Sequence, residues 1–123
     1  MGKQIEIRWL PEPDEKNYPA AESYLGLLYG DTAVKAVVGK LRKAPVSQFK
    51  AKDIFRASGL SLMGISNSQV EKDRMKIEEG KSLSPILLVR DGRNGKVVIA
   101  DGYHRMCAVY SYNQDELIPC KIV

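Results

Sequence analysis

The chain is poor in the residues that build metal centres and disulfide scaffolds. Among its 123 residues there are two cysteines, Cys107 and Cys120, and a single histidine. Two cysteines are too few to staple a small secreted fold, and their spacing beside one histidine does not match a zinc site. We therefore expect both cysteines to be reduced, packed as small side chains of a cytoplasmic protein.

Long apolar runs and repeats are also missing. No apolar run approaches the roughly 20 residues that a membrane-spanning helix needs, and no internal repeat or low-complexity segment is present. Hydrophobic residues make up 44% of the chain and charged residues 28%, which is typical of globular proteins. This composition predicts one domain over residues 1–123, without a membrane partner: an N-terminal arm and helical hairpin at 1–45, then a core at 46–123.

The first third of the chain alternates between strand and helix patterns. Apolar and polar residues alternate over 5–9, which predicts a short strand or extended arm. Apolar residues then recur every three or four positions in two stretches. The first runs from Asn17 to Tyr29 and is closed by Gly30; the second is capped by Asp31 and runs to Lys43. We expect these two helices to form a hairpin that covers one face of a sheet.

The remainder predicts the sheet itself. A short strand at 46–50, a helical turn at 53–57 and an apolar loop at 60–65, packed on the core, precede a helix at 67–79. Two strands at 86–89 and 96–100, a helix at 103–112 and a final strand at 118–123 follow. The two middle strands are apolar nearly throughout, so both sheet faces should be covered. The predicted fold class is α+β, a small mixed sheet covered by helices.

The transition from the strand at 96–100 into the following helix is the most informative stretch. Gly102 lets the backbone turn sharply. The first amides of the helix then lack partners, beside His104 and Arg105. Unpaired amides at a helix start, next to cationic side chains, favour an anion and most often a phosphate.

Each polar residue of this turn has more than one interpretation. His104 is either a structural or capping histidine or a phosphate ligand. Arg105 suits a phosphate edge because its guanidinium is planar and permanently charged; the alternative is a salt bridge to Asp101 or Glu116. Asp101 could cap the helix, contact a magnesium ion carried by a nucleotide, or act as a general base.

A second candidate surface is basic. Residues 35–56 contain seven basic residues and one acidic residue, a net charge of +6. The basic residues are Lys35, Lys40, Arg42, Lys43, Lys50, Lys52 and Arg56. Such a segment can attract DNA or another polyanion, and it can equally be the solvated face of ordinary helices. Lys35, Lys40, Arg42 and Lys43 are the candidate contacts of a DNA-binding or partner-binding accessory module, the alternative to an anion site.

The second half of the chain carries a recognisable order of motifs. The matching residues are Gln69-Val70 and Ile77 in a helix, Pro85-Ile86 opening a strand, Gly102-Tyr103-His104-Arg105 with Ala108 behind them, and Ile118-Pro119 opening the last strand. In this order and spacing, residues 67–123 resemble the ParB/sulfiredoxin superfamily.

This resemblance implies a nucleotide-binding fold that holds the phosphates of ATP, ADP or CTP. Magnesium is expected with them, because nucleotide phosphates usually bring that ion. Carried over by position, the residues that would bind the phosphates are Gly102, His104 and Arg105. Further contacts would come from the preceding helix, at Gln69, Lys72 and Lys76. Hydrolysis or phosphoryl transfer would be the associated chemistry.

Some residues of this chain depart from the family motifs, and these departures limit the activities that the resemblance predicts. Sulfiredoxins have a cysteine between the glycine and the histidine, where this chain has Tyr103, so sulfiredoxin chemistry is not expected. ParB proteins carry a Gly-Glu-Arg-Arg turn and a helix-turn-helix that this sequence does not show. The turn looks closer to a phosphotransfer branch represented by an ADP-dependent free-serine kinase. A homodimer through the arm at Trp9 is a further hypothesis.

Overall fold

The computed structural model describes residues 5–64 and 66–123. Within them lie five α-helices and six β-strands. The helices are α1 Asn17–Leu25, α2 Asp31–Lys43, α3 Ala51–Ser58, α4 Ser68–Glu78 and α5 Tyr103–Tyr112. The strands are β1 Arg8–Trp9, β2 Ser47–Lys50, β3 Ser82–Leu83, β4 Ile86–Asp91, β5 Lys96–Asp101 and β6 Leu117–Ile122. The predicted α+β class is confirmed.

The main sheet has four strands in the order β2-β6-β4-β5. The central strands β4 and β6 are parallel, with Ile86 opposite Cys120, while β2 and β5 pair antiparallel at the two edges. A separate two-stranded parallel sheet joins β1 to β3. The long connection between β4 and β6 carries β5 and α5, which places the turn at Gly102 at one end of the sheet.

Both faces of the sheet are covered, as the apolar strands predict. Side chains alternate along β4, so Ile86 and Leu88 pack on one side with α3, α4 and α5. Leu87 and Val89 pack on the opposite side with α1 and α2. The helical hairpin therefore covers one face, and the sheet lies between two apolar cores.

Four elements differ from the sequence predictions in their bounds or caps. Helix α1 ends at Leu25, about one turn early, because Gly26 begins a run of tight turns that leads into α2. Gly30, not Asp31, is the N-cap of α2, and no side chain caps it. The helical turn predicted at 53–57 is the longer helix α3. In the N-terminal arm only Arg8–Trp9 forms a strand, and residues 1–4 lie outside the described part.

The loop after α3 was predicted to pack on the core, and this is wrong for the residues that the structure describes. Leu60, Leu62 and Met63 are all exposed, and Ile65 lies outside the described residues. The Tyr103 hydroxyl donates to the Ser61 carbonyl, which holds the loop against the start of α5. The loop therefore crosses the surface near the turn and presents apolar side chains outward.

A buried lysine on β6 fastens the hairpin to the sheet. The side chain of Lys121 is only 4% exposed. Its ammonium donates to the Arg42 carbonyl at 2.8 Å and lies 3.2 Å from a Glu12 carboxylate oxygen. It also lies 5.9 Å from the ring centre of Tyr18. The ammonium of Lys121 thus pairs with a carbonyl in the last turn of α2. It also links the arm and α1 to the sheet.

Replacing Lys121 with alanine should lower the free energy of unfolding by about 3 kcal/mol, because it leaves a cavity and an unpaired buried carbonyl. Lys121→Met keeps most of the volume and should cost less. Urea unfolding at pH 7 measures both, with Lys43→Ala as the exposed control. A Lys121→Ala midpoint equal to that of Lys43→Ala would contradict this role.

The charge of Lys121 also predicts a pH dependence. Burial opposes the ammonium form, but hydrogen bonds to Tyr18 and Glu12 outweigh it, so the pKa of Lys121 is raised. A raised pKa means that the stabilisation is complete below the unfolded value of about 10.5 and is lost as pH rises through the folded value. The wild-type protein should therefore lose more stability above pH 10.5 than Lys121→Met does.

Candidate functional site

The turn between β5 and α5 accepts only glycine. Gly102 has a φ of +112°, which disfavours any residue with a Cβ. A Cβ placed there would lie 2.3 Å from Cγ2 of Ile86 and 3.0 Å from Nη2 of Arg105. The absence of a side chain thus brings the start of α5 directly against β4 and against the arginine.

The start of α5 has the unpaired amides that the sequence predicts. The first hydrogen bond of the helix runs from the Met106 amide to the Gly102 carbonyl, at 2.9 Å. No backbone or side-chain acceptor among the described residues is found for the amides of Tyr103, His104 and Arg105. The backbone here can donate to an anion.

Arg105 is held by Asp101, so the salt-bridge alternative to Asp101, not to Glu116, is present. The two side chains are 17% and 18% exposed, with Nη2 of Arg105 3.0 Å from Oδ2 of Asp101. Asp101 does not cap α5: Gly102 is the N-cap, and Arg105, one turn further on, takes the carboxylate instead. The Nε of Arg105 is buried and has no hydrogen-bond partner within the described residues. The arginine is oriented, with donor capacity left over.

Arg105 and Lys76 both line a small polar cavity, here named the polar pocket, of about 100 Å³. Its lining residues are Leu10, Asp14, Lys16, Asn17, Lys76, Ser82, Leu83, Ser84 and Arg105. Ser84 organises one wall: its hydroxyl accepts from the Asp14 amide at 2.9 Å and from the Asn17 side chain. The pocket joins the start of α1 to α4 and α5. Sequence reasoning missed Lys16, Asn17 and Ser84, which no local pattern links to Arg105.

Asp73 is a second residue that sequence reasoning missed. It lies on α4, half-buried, where burial raises the pKa of its carboxyl and the charges of Arg105, Lys76 and His104 oppose that rise. Its position four residues after Gln69 and three before Lys76 places it on their helix face. This spacing is the sequence signal by which Asp73 could have been predicted as a site residue. The acidic residues around Arg105 thus include Asp73 as well as Asp101.

The other side of the turn borders a larger cavity of about 300 Å³, here named the apolar cleft. Gly102, Tyr103 and His104 form one end of it. The remaining lining residues are Ala20, Tyr24, Leu60, Ile99, Ala100 and Asp101. The Tyr103 and His104 rings lie 5.4 Å apart. His104 therefore borders a cleft, and its role as a phosphate ligand stays a prediction.

Two of the predicted contacts do not reach either cavity. Gln69 and Lys72 are exposed on α4 and line neither the polar pocket nor the apolar cleft. The backbone amide of Gln69 donates to the side-chain oxygen of Asn67, the N-cap of α4. Of the six predicted phosphate contacts, Arg105 and Lys76 share the polar pocket, and Gly102 and His104 share the cleft.

The basic segment divides into paired and unpaired residues. Arg42 forms an ion pair with Glu15, and its guanidinium lies 4.3 Å from the ring centre of Tyr18. Lys52 and Arg56 also have acidic neighbours. Lys35, Lys40 and Lys43 are exposed on α2 and form no ion pair within the described residues. Contact of this segment with DNA or a partner stays a prediction.

Neither cysteine has the exposed thiolate that reactive cysteines need. Both are buried and free. Burial raises the pKa of Cys120 to about 12 and also raises the pKa of Cys107, so both remain protonated thiols near neutral pH. Cys107 faces the core, as its position one turn into α5 predicts.

No protein-family model, curated protein or solved structure matches the chain. The similarity to the ParB/sulfiredoxin superfamily therefore stays a prediction that rests on the motif residues quoted above. Within residues 5–64 and 66–123, no helix has both the length and the apolar character needed to cross a membrane.

Proposed function

We propose that this is a cytoplasmic protein that binds a nucleoside di- or triphosphate, with the phosphates held at the start of α5 and in the polar pocket. The observation that supports this most is the state of Arg105. Its guanidinium is fixed by Asp101, yet its buried Nε has no acceptor in the described part of the chain. The same arginine lines the polar pocket, where its guanidinium can donate charge-assisted hydrogen bonds to an oxyanion.

The surroundings of Arg105 support the same ligand class. Lys76 and Lys16 line the same pocket as Arg105. Two residues that carry unpaired amides, Tyr103 and His104, line the cleft on the other side of the turn. The side chain of His104 adds a further donor on the cleft side. Cations, a helix start and a small polar cavity together are the features that bind phosphate groups in proteins.

Magnesium fits this site only as an ion that arrives with the nucleotide. Among the described residues there is no group of three or more histidine, cysteine, aspartate or glutamate side chains that could hold a metal. Magnesium, however, commonly uses one or two carboxylates together with substrate phosphates. Asp101, which lines the cleft and pairs with Arg105, is the candidate carboxylate for that role. Asp73 lines neither cavity.

The chemistry that such a site can promote is hydrolysis or phosphoryl transfer. Arg105, His104 and the α5 amides would stabilise negative charge on the phosphoryl group by fixed hydrogen bonds. Asp101 is a candidate base, and Asp73 is an alternative that the fold adds. ATP, ADP or CTP is the ligand we propose.

Calorimetric titration of ATP, ADP and CTP, with and without magnesium, tests the proposal. We expect binding of at least one of them, strengthened by magnesium. Lys76→Gln should weaken it about tenfold, the effect of losing one charge-assisted hydrogen bond. Lys43→Gln, an exposed lysine on α2 outside both cavities, should have no effect. Absence of heat with all three nucleotides would refute nucleotide binding.

A further inference from the structure

We infer that the base of this nucleotide lies in the apolar cleft, and that α1 of the N-terminal hairpin is the element that recognises it. The inference rests on the proposed function, because it assigns a second part of the same ligand. It gives α1 a role beyond covering the sheet.

Helix α1 joins the two cavities. Asn17, at its start, lines the polar pocket, whereas Ala20 and Tyr24 line the apolar cleft. Positions three and seven residues apart share one helix face. At 1.5 Å per residue, Asn17 and Tyr24 are about 10 Å apart along the helix. A single ligand with phosphates at one end and an apolar group at the other can therefore contact both.

The walls of the cleft suit a flat, apolar ring. Tyr24 and Leu60 are each 42% exposed at its sides, while Ile99 and Ala100 are buried at its base. A ligand that covers large exposed apolar side chains gains binding free energy, because their surface is removed from water. A tyrosine ring can also stack on a nucleobase, whose faces are π-systems.

The cleft also offers hydrogen bonds to the rim of such a ring. Strand β5 is an edge strand that pairs with β4 on one side, and no other strand of the described residues pairs with it. Ile99, Ala100 and Asp101 of this edge line the cleft. Edge-strand peptide groups supply both donors and acceptors, which match the mixed donor and acceptor pattern of base edges.

Titration of the wild-type chain with ATP and with inorganic tripolyphosphate, both with magnesium, separates the base from the phosphates. We expect ATP to bind at least tenfold more tightly than tripolyphosphate. Tyr24→Ala should weaken ATP about tenfold, the typical loss of one stacking contact, and leave tripolyphosphate unchanged. Tyr24→Phe keeps the ring and should bind ATP like the wild type.

Leu27→Ala is the matched control, because Leu27 is 82% exposed just after α1 and does not line the cleft. It should leave both affinities unchanged. Equal wild-type affinity for ATP and tripolyphosphate would overturn the base site and leave phosphate binding intact. An equal loss of both ligands in Tyr24→Ala would overturn it as well. If tripolyphosphate, ATP, ADP and CTP all fail to bind the wild type, nucleotide binding itself fails.

Discussion

Gly102→Ala is expected to remove at least about 3 kcal/mol from the free energy of unfolding, a large part of the 5–15 kcal/mol that a domain has. The new methyl group would sit 2.3 Å from Cγ2 and 2.7 Å from Cβ of Ile86. Ile86 is fully buried in β4, so it cannot move aside without disturbing the core. Urea unfolding followed by circular dichroism measures the loss.

Gly80→Ala is the control that distinguishes the steric clash with Ile86 from the cost of a positive φ. Gly80 also has a positive φ, +73°, but a Cβ there would meet nothing within 4 Å. Only the conformational cost remains, about 1–2 kcal/mol. Equal shifts in the urea midpoint for Gly80→Ala and Gly102→Ala would show that the contact with Ile86 does not limit this turn.

Arg105→Ala is expected to weaken nucleotide binding by at least about 100-fold, because two or more charge-assisted hydrogen bonds disappear together. Arg105→Lys keeps the charge but loses the planar fork, and it should recover only part of the affinity. Calorimetric titration with the tightest of the three nucleotides measures both variants.

Arg105→Ala also leaves the mostly buried carboxylate of Asp101 without its partner, which lowers stability by itself. The double variant Arg105→Ala with Asp101→Asn removes that unpaired charge. Its stability should recover while its nucleotide affinity stays low. A double variant that is stable and binds like the wild type would show that Arg105 only fixes the turn and does not contact the phosphates.

The position of the turn was predictable because its determinants are local. The apolar run of β5 ends at Asp101, Gly102 permits the reversal, and the helical pattern of α5 starts immediately. The α+β class, the helical hairpin and the cover on both sheet faces also follow from the spacing of apolar residues. These patterns depend on the periodicity of a strand or helix, which is set within one segment.

The composition of the site was not predictable, because its members are far apart in the chain. Ser84 meets Asn17 across 67 positions, and Tyr103 meets Ser61 across 42. Asp101 could have capped α5 or paired with Arg105, and the spacing of the residues is compatible with both. The sequence alone therefore could not decide between the two roles.

The sequence by itself therefore determined the order of the main helices and strands, the glycine turn and the unpaired amides at the start of α5. Only the tertiary structure decided that Lys16, Lys76 and Arg105 line one pocket, and that Tyr24 and His104 line one cleft. The physical reason is that periodicity shows which face of an element is buried, whereas the packing of the elements decides which polar residues on their remaining faces become neighbours.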